Sequence, residues 1–102
     1  MNKEKIYITI NHLDDFFGPT YLRTGEQLTL KKDRKNHYDD EAIAAYKEEC
    51  RCGYVANSVS SVARGTYSAG RLYEKIGEEA SCIVCFIKDD MAICELNSDQ
   101  TL

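Results

Sequence analysis

The stretch Asn36-His37-Tyr38-Asp39-Asp40-Glu41-Ala42-Ile43 gathers more complementary chemistry than any other part of the chain, and Gly53-Tyr54-Val55 follows a short distance later. A basic run, Lys31-Lys32-Asp33-Arg34-Lys35, leads straight into it. Cations can meet phosphates, aromatic rings can stack on bases, and a carboxylate can accept a hydrogen bond from a sugar hydroxyl. Tyr38 is the candidate stacking ring and Asp39 the candidate acceptor. Lys32, Arg34 and Lys35 are the candidate phosphate contacts, and His37 could touch a phosphate or base beside Tyr38. Each residue also has a plain structural reading. Tyr38 could simply pack on its neighbours, and Asp39 could cap a turn by bonding its own backbone. His37 could face solvent, and the basic run could be a solvated strand end partly neutralised by Asp33, Asp40 and Glu41.

These residues need elements to hold them. Lys5 to Asn11 alternates, with Ile6, Ile8 and Ile10 on one face, which reads as a half-buried strand. His12 to Gly18 is loop-like and carries Phe16 and Phe17 beside Gly18 and Pro19. Gln27 to Lys32 alternates again. Glu41 to Lys47 reads as a strand, with helix as a competitor because of Ala42, Ala44 and Ala45. Glu48-Glu49 turns the chain, and Cys52 to Ala56 is a further strand. Ser58 can cap a short helix with Val59, Val62 and Ala63 on its apolar face, ended by Gly65. A second helix is expected to start near Ser68, bury Leu72 and Ile76, and stop at Gly77. Ser81 to Ile87 is apolar on both faces and reads as a buried central strand. Lys88-Asp89-Asp90 turns it back into Met91 to Leu96 as a hairpin.

The expected fold is therefore mostly β with short helices (α+β). It is a small OB-like antiparallel β-barrel with two short helices inserted before the last hairpin. Residues 1–96 form one domain, and 97–102 form a flexible polar tail. The 102 residues leave no room for a second, catalytic domain. With 17 acidic and 13 basic residues the net charge is -4, so any nucleic-acid contact would be local and salt-sensitive. No apolar run approaches membrane-spanning length, and Met1 to Lys5 lacks a signal-peptide apolar region. A soluble, cytoplasmic protein is expected.

The five cysteines are an odd count for a disulfide framework. Cys50-x-Cys52, Cys82-x-x-Cys85 and Cys94 superficially resemble a zinc set. On a strand, however, Cys82 and Cys85 point to opposite faces, and no histidine lies near Cys50 or Cys52 in sequence. Inert core thiols are the simpler expectation, with no metal and no cofactor. Arg64 and Arg71 flank the glycine-containing loop Gly65 to Gly70. That loop is not a Walker loop, since no Gly-Lys-Ser/Thr follows. A tight helix–helix connection is preferred there over an anion site.

Gly25…Leu28-Thr29-Leu30, then Asn36-x-Tyr38-Asp39-x-x-Ala42-Ile43, then Gly53-Tyr54-Val55, resembles the HIRAN domain over roughly Ile6 to Leu96. The Gly65-Thr66-x-Ser68-Ala69-Gly70-Arg71 stretch resembles its stand-alone bacterial form. The other form lies at the N-terminus of certain DNA translocases of replication-fork repair. The resemblance implies an OB-like barrel that binds single-stranded DNA, in the translocase form through the free 3′ end. It implies that Tyr38 and Asp39 contact the terminal nucleotide, that Tyr54 lines the same pocket, and that Phe16 or Phe17 supplies a first-loop aromatic. Two positions differ from the translocase form. Asp14-Asp15 stands where that form has an arginine, and Asn57 where it has a lysine that meets phosphate.

The first functional expectation is thus a non-catalytic module for single-stranded DNA or a DNA 3′ end, in repair or replication-fork processing. A repair or phage-related enzyme would be its partner. The alternative is a protein–protein interaction module of the same fold that has lost DNA binding, which the acidic balance favours. An enzyme is the weakest reading, because no nucleophile motif, metal set or phosphate loop is present.

Overall fold

The computed structural model describes residues 5–101. The expected N-terminal segment Met1 to Glu4 and the last tail residue, Leu102, lie outside the described residues. Six strands form a closed, wholly antiparallel barrel: β1 (Tyr7–Asn11), β2 (Gln27–Lys32), β3 (Ile43–Lys47), β4 (Cys50–Val55), β5 (Glu79–Lys88) and β6 (Met91–Leu96). Around the barrel they run β1-β4-β3-β2-β5-β6 and back to β1. One short helix, α1 (Ala69–Tyr73), precedes the final hairpin β5–β6. Two single-turn 3-10 helices, Leu13–Asp15 and Pro19–Tyr21, shape the first loop. This is the small OB-like barrel that the alternating segments imply.

Alternation explains the core. Ile8, Ile10, Leu28, Leu30, Cys82, Val84 and Cys94 project inward from successive strands and are almost fully buried. Leu72 from α1 and Ile76 just after it join the same core. Burying such side chains is worth about 1.5–3 kcal/mol each, which favours barrel closure. Closure depends on one close approach. Between β1 and β4 only Ile10–Val55 and Asn11–Tyr54 pair. A Cβ on Gly53 would lie 2.7 Å from the Asn11 carbonyl oxygen and 2.7 Å from Ile10 Cγ2. Glycine at 53 therefore lets β4 reach β1, and it sets Tyr54 beside Asn11.

Several expectations change, among them the second helix, which ends at Tyr73 rather than at Gly77, and the strand expected from Cys52, which begins at Cys50. Glu41 belongs to the turn before β3 rather than to the strand, and the alanines pair in the sheet, because Ala44 and Ala45 sit against β4 and β2. The helix expected from Ser58 does not form. Val59 is fully exposed while Val62 and Ala63 are half-buried, so the expected apolar face is not buried as a unit. Instead the chain after β4 lies along β1. The Thr9 hydroxyl accepts the Ala63 amide at 3.1 Å and contacts the Thr66 hydroxyl at 2.9 Å, and the Tyr67 amide donates to the Tyr7 carbonyl at 2.7 Å. These bonds cover the outward face of β1, which is why polar Thr9 is buried.

Strand β5 is not buried on both faces. Ala80, Cys82 and Val84 point inward, but the register shifts between Val84 and Phe86, and Cys85 and Phe86 are exposed. Beyond β6 the chain keeps contacts with the barrel through residue 101. Asn97 bonds the Ser81 carbonyl at 3.0 Å, Gln100 accepts from the Ser81 amide at 2.9 Å, and Thr101 bridges to Ile76.

Candidate nucleic-acid interface

The loop between β2 and β3 is built by short-range polar bonds. Asn36 Oδ1 accepts the amides of Tyr38 at 2.9 Å and Asp39 at 3.0 Å. Asp39 Oδ1 then accepts the Glu41 amide at 2.9 Å, and the Asp33 amide closes the loop on the Ala42 carbonyl at 2.8 Å. Asparagine and aspartate form such turns because their short side chains mimic a backbone carbonyl. The result is a fixed platform that leaves the Tyr38 ring 97% exposed.

Asn57, just past β4, anchors this platform from outside. Its Nδ2 donates to Asp39 Oδ2 at 3.0 Å, and its Oδ1 accepts the Gly70 amide of α1 at 2.8 Å. Each Asp39 oxygen thus takes one protein hydrogen bond and keeps a further lone pair for a ligand hydroxyl. A cavity of about 390 Å³ opens here, and Tyr38, Asp39, Tyr54, Asn57, Asn36 and His12 are among the side chains that line it. Sites for small ligands run to about 300–1,000 Å³, so the space suits one nucleotide-sized group.

Tyr54 is held from its hydroxyl end. It donates to Asp33 Oδ2 at 3.1 Å and accepts from Arg51 Nη1 at 2.6 Å, while Arg51 Nη2 also reaches the Tyr46 hydroxyl at 2.8 Å. Burial, followed by the bond to Asp33, raises the Tyr54 phenol above its ordinary range, and Arg51 opposes that shift. Phe16 packs near Tyr54, with ring centroids 6.1 Å apart, but does not itself line the cavity.

The remaining expected site residues lie elsewhere. Phe17 stacks on Tyr21 at 4.6 Å. Lys32 Nζ donates to the Ile76 carbonyl at 2.9 Å and lies over the Tyr73 ring. Arg34 is engaged by Glu78, and their bond holds the Glu78 carboxyl below the usual carboxylate range. Lys35 and His37 are exposed, and neither lines the cavity. Among the lining groups with no assigned role in the sequence are His12 and Ser61. His12 reaches the cavity because it adopts a left-handed backbone (φ 61°) right after β1, and Ser61 because its segment folds back over β1. Neither has a linear motif that would reveal it.

Asp39, Asp40 and Glu41 bring one carboxylate oxygen each within 4.8 Å of one another. Both Asp39 oxygens already serve the loop and Asn57, and exposed acidic groups of this kind are common without an ion. Cys82 is buried and Cys85 exposed, so those two thiols face opposite ways. Cys52 is buried with its thiol directed at the Ala45 carbonyl, 3.5 Å away, and burial pushes its pKa up to about 11.

Fold and site together define a closed six-stranded β-barrel with a polar and aromatic pocket at its rim. No family model, curated protein or solved structure matches the chain. No helix among the described residues is long and apolar enough to cross a membrane.

Proposed function

We propose that this chain is a non-catalytic, cytoplasmic module that binds single-stranded DNA and takes a 3′ end into the Tyr38–Asp39–Tyr54–Asn57 pocket. The observation that carries the reading is the Asp39 carboxylate. It is fixed by two protein hydrogen bonds at the wall of a nucleotide-sized cavity, beside an almost fully exposed tyrosine. A terminal sugar hydroxyl can donate to that carboxylate, whereas a terminal phosphate would meet like charge. Tyr38 can stack on the base, a contact worth about 1–3 kcal/mol. The resemblance to the HIRAN domain supports the same assignment for Tyr38, Asp39 and Tyr54. Helicase or nuclease chemistry would then belong to a repair or phage-related partner enzyme.

The test is fluorescence anisotropy at low salt, with a short single strand ending in a 3′-hydroxyl or a 3′-phosphate. The expected result is preference for the hydroxyl end in the wild type and its loss in Asp39→Ala. Equal binding of both ends by both proteins would sink the end-reading role. A second reading, a protein-interaction module, draws on the exposed Phe17, Val59 and Phe86. Absence of DNA binding at any salt concentration would favour it.

A further inference from the structure

The cations that precede the pocket in sequence are largely committed to internal partners, yet a second cavity adjoins the first. It measures about 400 Å³ and shares Asn57 and Ser58 with the Asp39 pocket. Arg64 and Arg71 line it, together with the hydroxyl residues Thr66 and Ser68, and no acidic residue does. Both arginines are exposed, and among the described residues neither guanidinium is in an ion pair. Arg71 is held in place by its stack on the Tyr67 ring, 3.9 Å from the centroid. Such a stack orients a guanidinium while leaving its N–H groups able to meet phosphate oxygens.

Chain chemistry links the two cavities. A 3′-terminal nucleotide has a single phosphodiester, on its 5′ side. A strand whose last sugar meets Asp39 must leave the pocket through that phosphate. On the far side of Asn57 lies the arginine-lined cavity, which has the charge that the Asp39 pocket lacks.

We propose that the Arg64–Arg71 groove is a phosphodiester subsite that receives the backbone of the strand 5′ to the nucleotide in the Asp39 pocket. This rests on the end-binding reading above, and it puts the backbone cations after β4 rather than in the Lys31–Lys35 run. Each phosphate contact to a single strand contributes about 0.7 to the slope of log affinity against log salt.

The experiment measures anisotropy of a 5′-labelled ten-nucleotide thymidine strand across a salt series, with 3′-hydroxyl and 3′-phosphate ends. The proteins are wild type, Arg64→Gln/Arg71→Gln and Arg64→Lys/Arg71→Lys, each checked for folding by a circular-dichroism melt. The expected result is a slope shallower by about 1.4 in the glutamine variant. The hydroxyl preference is kept, and the lysine variant recovers the slope. Wild-type affinity and slope in the glutamine variant, with the hydroxyl preference intact, would overturn the subsite and leave the end reading standing. An arginine-dependent slope without any hydroxyl preference would uphold the groove as a phosphate site and remove the end reading. No binding by the wild type would overturn both.

Discussion

Two neighbouring parts of the β2–β3 connection carry most of the suggestive residues, and they end up in opposite states. In the Asn36–Glu41 platform, polar bonds hold the backbone still and leave the Tyr38 ring and spare Asp39 lone pairs facing outward. In the Lys31–Lys35 run, the side chains of Lys31, Lys32 and Arg34 are themselves engaged, and Lys35 alone of the cations stays exposed without a contact among the described residues. Lys31 lies over Tyr46, Lys32 over Tyr73 and on the Ile76 carbonyl, and Arg34 on Glu78. A short amide-capping side chain organises a loop without using up its neighbours. A long cationic side chain reaches back to the barrel wall and finds an acceptor there. Counting charges along a sequence therefore overstates what a strand end offers a phosphate.

Alkaline pH should break both parts together, since they meet at Tyr54 and stand on β4. Burial raises the Cys52 thiol from 9.0 to about 11, and Tyr54 is raised by burial and its Asp33 bond. Groups with raised folded pKa values contribute stability that is intact below their ordinary pKa and is lost as pH climbs through the folded value. At about 1.4 kcal/mol per unit, the Cys52 shift amounts to about 2–3 kcal/mol at the alkaline limit. Urea midpoints should fall as pH rises above about 9, and Cys52→Ala should make that fall smaller, the remainder coming from Tyr54 and from the Cys94 and Cys85 thiols, which are raised as well. An identical fall in the variant would show that Cys52 is not its source.

Tyr38→Ala sharpens the contrast at the ligand. Binding of a single strand should weaken by about 1–3 kcal/mol, with no change in the thermal midpoint, because the ring is solvent-exposed. Unchanged affinity would assign the ring no stacking role. Asn57→Ala tests the platform's outer anchor, since it leaves the Gly70 amide and Asp39 Oδ2 without their partner. A loss of about 1 kcal/mol in urea unfolding is expected, together with a reduced preference for the hydroxyl end. Full stability and preference would mean that water replaces the amide without loss. Arg34→Gln should give the smallest change, with no measurable shift in midpoint or affinity, as expected for an exposed ion pair. A clear drop in DNA affinity would return the basic run to the interface.

The local signals were strong wherever one rule governed a segment. Period-two alternation in Lys5–Asn11 and Gln27–Lys32 located two barrel strands, the Lys88-Asp89-Asp90 turn placed Met91–Leu96 as the return strand of a hairpin, and Ser68 did cap α1. Asp39 stood out as a turn former because that chemistry is local and written in adjacent residues, whereas the bonds from Asn36 to the Tyr38 and Asp39 amides emerged only from the structure. Other segments obeyed distant partners. Val59, Val62 and Ala63 have helical spacing, but Thr9, more than fifty positions earlier, claims the Ala63 amide. The both-face apolar pattern of β5 ended at a register shift that has no mark of its own in the sequence.

The sequence by itself determined strands β1 and β2, the isoleucines and leucines they turn inward, and the turn-forming aspartate Asp39, because each follows from periodicity or from bonds within a few residues. Only the tertiary structure decided which charges remain available. Lys32 and Arg34 found acceptors at Ile76 and Glu78, brought alongside by β2–β5 pairing, while Arg64 and Arg71 were folded over β1 into a cavity without acids. Whether a cation is free to meet a ligand depends on what closure of the barrel sets within about 4 Å of it, and that distance is not encoded in its immediate neighbours.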